Sequence, residues 1–271
     1  MKGQFFSPDS VIWRVDREMV LLLAGGRALL MQIAHPKVAA GVAEHSHFQK
    51  DPLRRLRQTM SAMWSVVFDD VEQARRSLGR VKEIHGIVRG EIPHPDGKRA
   101  LSYSALEPEL LLWVHATLVD SALLAYEHFV APLPAVDKSQ YYDDTKKLAT
   151  LFDVPPAALP RSLEDFHSYI DRMLKGPDIV VSATAQSLAR EILYPRPWVL
   201  RPGRPLFAFM TAGLLPAKLR HAYDLRWDRQ RQWWFDHFAS LTRAVLPCLP
   251  PLVRTVPHAR AAQKRLRGSR N

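Results

Sequence analysis

Residues 70–90 read DVEQARRSLGRVKEIHGIVRG, and their period decides the fold class. Ala74, Leu78, Val81, His85 and Val88 recur at spacings of four, three, four and three, so they share one face of a helix. Arg75, Arg76, Arg80 and Lys82 fall on the other side. Asp69 or Asp70 serves as N-cap, and the helix is expected to reach about Arg89. The inward face is aliphatic except for His85, with Gly86 and Gly90 leaving space beside it. Such an imidazole is either a core histidine bonded to a carbonyl or an axial ligand for a flat cofactor such as haem.

The same period runs outward in both directions. Helices are expected from Asp9 or Ser10 to Leu23, from Arg27 to Ala34 after a break at Gly25-Gly26, and from Pro36 to Val42. Asp51-Pro52 pairs an acidic N-cap with proline at the first helical position and opens a helix to about Phe68. Pro93, Pro95 and Asp96-Gly97 mark residues 91–104 as a loop. Glu107-Pro108 opens a long helix to about Val130. Further helices are expected near 138–152, 163–174, 179–193, 206–221 and 228–245. No stretch alternates like a strand and no repeat is present. The fold class is therefore all-α, a single globular multi-helix domain over residues 1–254 followed by a basic tail, 255–271.

Composition narrows the functional classes. Apolar residues make up 47% of 271, enough for a substantial core. The one cysteine, Cys248, excludes an internal disulfide and is expected to be a buried thiol. The start of the chain lacks a charged stretch followed by an apolar run, and Gly25, Gly26 and Arg27 interrupt the greasiest segment. A cytoplasmic protein, open to peripheral membrane association, is the expectation. Residues 201–271 hold 14 Lys and Arg against three Asp, a net of +11, which is the formal charge of the whole chain. That basic quarter reads as a solvated helix end or as a surface for anionic lipid. No zinc-finger spacing, aromatic RNA-binding pattern or phosphate loop points to nucleic acid.

Two more clusters carry candidate chemistry. Arg55, Gln58 and Thr59 share one side of their helix at i, i+3 and i+4, at the border of an apolar face formed by Leu56, Met60, Met63, Trp64 and Val67. They could hold a carboxylate or an oxygen species, or form an ordinary polar flank. In WVHAT (residues 113–117), His115 lies within an apolar helix, and a second interior histidine favours a real pocket. His35, and the pair His45 and His47, are lesser candidates.

Taken together, GGRALLMQIAHP (residues 25–36), Gly41-Val42, His45-Ser46, Arg55 to Thr59, HGIVRG (85–90) and WVHAT resemble the DUF2236 family, that of MpaB-type oxygenases and the catalytic domain of latex clearing protein. The resemblance covers about residues 10–250. It implies a globin-like helical core around a b-type haem, with iron and O2 cleaving a C=C bond in a small apolar, isoprenoid-like substrate. It implies His85 as proximal iron ligand, with Arg89 one turn later and His115 neutralising haem propionates or orienting neighbours. Arg55 and Thr59 match the ends of a distal Arg-x-x-Lys-Thr motif and, with Gln58, shape the distal side. The chain departs from that motif at Gln58. A neutral lysine amine can ligate ferric iron, whereas an amide is a very poor ligand, so the distal side is expected to be open or to carry water. Neither an export signal nor a membrane anchor of the kind known in these oxygenases is seen, which favours an intracellular, smaller substrate.

Three rivals remain open. One is a non-catalytic haem carrier or sensor, which would use the same ligand. Another is a non-haem di-iron enzyme, which needs paired Glu-x-x-His motifs; Glu164-x-x-His167 is the one helical copy and Glu91-x-x-His94 lies in the expected loop. The last is a metal-free interaction protein working through the basic quarter. Oligomeric state is not legible.

Overall fold

The computed structural model describes residues 3–45, 52–93, 99–195 and 198–268, and for 52–59 and 198–200 it describes the backbone alone. Helix α1 (Val11–Asp16) starts where the Ser10 hydroxyl accepts from the Trp13 amide. It does not continue to Leu23. A 3-10 turn, Met19–Ala24, intervenes, and α2 (Gly25–Ile33) begins at the glycine pair rather than ending there. The reason is a close approach: a Cβ at Gly26 would collide with the Thr211 hydroxyl and come within 2.9 Å of Phe207. α3 (Pro36–His45) turns away from the Met19–Ile33 segment by 107°.

α4 (Pro52–Phe68) and α5 (Val71–Ile87) form an antiparallel pair, with the Asp70 carboxylate accepting from the Gln73 amide to cap α5. The expected loop over 91–104 is instead an antiparallel hairpin of β1 (Arg89–Pro93) and β2 (Ala100–Ser104), in register Arg89 opposite Ser104. Five residues of alternation per strand, next to Pro93, Pro95 and Asp96-Gly97, are too brief to outweigh the turn signals. Tyr103 is their buried anchor and donates to Glu44 of α3 at 2.6 Å.

α6 (Pro108–Phe129) is the longest helix and runs through the core. Its most apolar stretch has a mean hydropathy of 1.3 and is 67% buried, so its length and greasiness are those of a central core helix. α7 (Ala135–Leu151), α8 (Leu163–Lys175) and α9 (Ala183–Leu193) follow. The single helix expected over 206–221 is two, α10 (Arg204–Leu214) and α11 (Ala217–Ala222), divided at Leu215-Pro216. α12 (Arg229–Val245) is capped by Asp228.

The basic end is also ordered structure, α13 (Pro251–Arg254) and α14 (Pro257–Gly268). Ala259 and Ala262 join the main core that begins at Phe6. Arg254 grips the buried Glu18 carboxylate with two hydrogen bonds, 2.9 and 3.0 Å, and the Val256 amide donates to the Arg17 carbonyl. Residues 255–268 are thus packed as part of the helical domain rather than frayed from it. The chain is a single all-α domain with one small hairpin.

Arg27 joins three of these helices. Its buried guanidinium donates to Asp120 (2.5 Å) and Ser121 (2.6 Å) of α6 and to the Leu214 carbonyl at the end of α10 (2.9 Å). Removing it strands a carboxylate, a hydroxyl and a carbonyl together. Arg27→Ala should cost about 3–5 kcal/mol in urea unfolding. Asp120→Asn, which keeps an acceptor but not the charge, should cost clearly less; equal losses would show that the carboxylate's charge, not its acceptor alone, is what holds the guanidinium.

Candidate active site

His85 lies in the last turn of α5, on the face that begins with the buried Ala74 and the part-buried Leu78 and Val81. It is half-buried, with Ile84 and Ile87 exposed at its sides, so it stands at the rim of the core rather than inside it. Burial lowers its pKa against the opposing charge of Asp153, which itself pairs with Lys82 at 3.1 Å. No described residue hydrogen-bonds to its ring.

His115 is the deeper of the two imidazoles. α6 presents it on one face with Leu111, Leu112, Leu118, Val119 and Ala122, while Trp113, on another face, donates to the Met31 carbonyl at 3.2 Å. Its Nε2 is buried without a partner. Burial pushes its pKa down to about 4, so the ring is neutral at physiological pH. Neutral, the ring contributes no positive charge of its own to its surroundings. It offers a lone pair or an N–H instead. An orphaned buried nitrogen costs on the order of 1–3 kcal/mol, so something that takes up its bonding capacity would be stabilised there.

The expected turn between His85 and Arg89 is absent. α5 ends at Ile87, and Arg89 opens β1 with its side chain exposed and its carbonyl in contact with His45 Nε2 at 3.0 Å. Nor do both glycines clear a surface. Gly86 faces open space, but the room beside Gly90 is taken by the Tyr103 hydroxyl and Glu44. Arg55, Gln58 and Thr59 lie in α4, and their side chains fall outside what is described, as do Ser46, His47 and His94 entirely.

One polar cluster has no signature in residue order. His258 Nδ1 meets Asp69 at 2.9 Å, its Nε2 lies 3.2 Å from the Ser61 hydroxyl, and Arg265 reaches Asp69 at 3.3 Å. Burial opposes the Asp69 charge, but the bond and charge from His258, with Ser65 and Arg265, hold its carboxyl below the usual range. The chain order of a serine hydrolase triad is there in outline. Ser61 sits inside α4, however, whose amides are spent on helix bonds, so no free pair of N–H groups faces it as an oxyanion site would require. The cluster fastens α14 to α4 and α5, and an open cleft of about 460 Å³ lies against it. A second cleft, about 480 Å³, lies between α6 and α12. Neither is lined by His85, Arg89 or His115.

The di-iron reading finds no support. Glu164 and His167 are both exposed on α8, and no three His, Cys, Asp or Glu side chains converge among the described residues. Cys248 is exposed, not buried, because Pro247 and Pro250 hold its segment on the surface.

The family described as ER-bound oxygenase mpaB/B'/Rubber oxygenase, catalytic domain, matches residues 13–244. The chain belongs to it. The match ends in the last turn of α12 and includes α5, α6, His85 and His115. Two relatives, the uncharacterized proteins Rv2237 of Mycobacterium tuberculosis and Mb2261 of Mycobacterium bovis, are each 28% identical over 227 residues, covering 82% of this chain and 87% of theirs. No solved structure matches the chain. The protein therefore carries an mpaB/rubber oxygenase-type catalytic domain, with the enzymatic class that this implies.

A histidine that holds a haem iron needs one ring nitrogen with a free lone pair. Burial disfavours the charged form of both His85 and His115, and among the described residues neither the His85 ring nor His115 Nε2 has a hydrogen-bond partner, so the donor set fits. The His115 state can be tested directly. Its ring resonances should stay flat from pH 8 to about 5 and titrate near 4, whereas a midpoint near 6.5 would refute its burial. The unfolded chain takes up this proton near pH 6.5 and the folded chain only near 4, so the stability the neutral ring lends is lost as pH falls through that window. His115→Gln should accordingly flatten the acid limb of the stability curve relative to the parent.

Proposed function

We propose that this protein is a b-type haem-dependent oxygenase that cleaves a C=C bond in an apolar, isoprenoid-like substrate. The observation that carries the reading is the His85 imidazole, without a hydrogen-bond partner among the described residues, at the open end of an apolar helix face inside an oxygenase-family domain. When bound, haem would supply the activation of O2.

The chain's own residues supply the rest. His85 would supply the nitrogen that holds the haem iron, its charged form disfavoured by burial. Its neighbours Ile84 and Ile87 give the rim an apolar lining suited to an alkene chain. Arg55 offers positive charge, Gln58 and Thr59 neutral donors and acceptors, from the adjacent α4. His115 contributes an uncharged ring at the core side and so favours a dry site over a charged one.

Protein produced with haem supplied should carry a Soret band and about one haem iron per chain. Loss of an axial ligand should weaken retention at least as much as loss of an outer partner does, on the order of 10- to 100-fold, in His85→Ala. A variant that kept its full band would sink the assignment. Oxygen uptake on adding an isoprenoid alkene is the expected sign of turnover, with aldehyde or ketone products. Haem retained without uptake across such alkenes would identify a carrier or sensor instead.

A further inference from the structure

Helix α12 is apolar on two sides. Its inner side, Phe235, Ala239 and, just beyond the end, Leu246, is 1–4% exposed and packs on α6 and α10. At 100° per residue, Trp233, His237, Leu241, Trp234 and Val245 fall on a second stripe about 120° wide, turned away from the first. Trp233 is 50% exposed, Trp234 56%, Leu241 63% and Val245 44%. The stripe contains no charged residue. Beyond the helix, α13 also exposes Leu252 at 70% and Val253 at 54%. Isolated exposed apolar residues need no explanation, but a contiguous stripe of this kind does.

Its borders indicate the partner. Arg229 and Arg243 lie on one side and Arg231 on the other, and among the described residues neither Arg229 nor Arg243 is ion-paired. Asp236 is the sole acid within the helix, and the final 71 residues carry a net +11. Packing this face on a second copy about a two-fold axis would bring like charges together. Tryptophans beside arginines on a helix lying along the surface instead suit the boundary between headgroups and acyl chains.

We propose that the outer face of α12 docks on an anionic lipid bilayer, with Trp233, Trp234 and Leu241 entering the interface and the arginines meeting headgroups. The attachment is peripheral, and the stripe rather than net charge alone sets its strength.

The test is co-sedimentation of the full chain with phosphatidylglycerol–phosphatidylcholine vesicles and with pure phosphatidylcholine vesicles. Binding should be on the order of tenfold tighter to the anionic vesicles and should weaken with salt. Trp233→Ser/Trp234→Ser/Leu241→Ser, checked for folding by circular dichroism, should lower it at least about tenfold. Should that variant not fold, bromolipid quenching of the parent's tryptophan emission, diminished in Trp233→Phe/Trp234→Phe, gives the same answer. No binding at low salt would overturn the proposal, as would binding that the serine variant leaves intact. A dimer dissolved by the same substitutions, with no vesicle binding, would assign the stripe to a second copy.

Discussion

A buried guanidinium governs this structure. Arg27 lies where α2, α6 and α10 meet, and its donors are spent on a carboxylate, a hydroxyl and a helix-terminal carbonyl, one set on each neighbouring helix. A charge in that position is tolerable only when its partners stand in place, so it couples the relative placement of three helices. Gly26, next to it, removes the side chain that would hold α2 off Thr211. α6 is thereby fixed, and with it His115.

A second ionic fastening works at the periphery. Glu18, almost without solvent exposure, takes the Arg254 fork, while Asp69 takes His258 and Arg265. These contacts tie the last helices to the first turn of the chain and to the α4–α5 pair. The α5 helix that carries His85 is therefore anchored at its N-terminal end by Asp70, α14 and the core, while its C-terminal end opens toward solvent. An imidazole at that open end is accessible, and one on α6 is not. The two histidines differ in chemistry because they differ in depth.

The two histidines could be read from residue order. His85 and His115 stand out because a polar ring on an aliphatic face is conspicuous at helical spacing, and burial disfavours the charged form of both. Arg89 misleads because the period carries past Ile87 although the backbone leaves the helix there, and two five-residue strands alternate too briefly to announce a hairpin. The His258–Asp69–Ser61 cluster was invisible for another reason. Its members are far apart in sequence, and each alone looks like a cap or a surface residue.

The sequence by itself determined the all-α class, the central helix from Pro108, helix starts at Asp9 or Ser10 and at Asp69 or Asp70, and the two histidines on aliphatic helix faces. These depend on local periodicity and on side chains bonding amides a few residues away, which neighbours in sequence settle between themselves. Tertiary structure alone decided that the basic end packs into the domain, that His115 loses its charge, and that the second apolar stripe of α12 faces outward. Each of those outcomes depends on what comes from elsewhere in the chain to exclude water from a given face, and no local pattern encodes that.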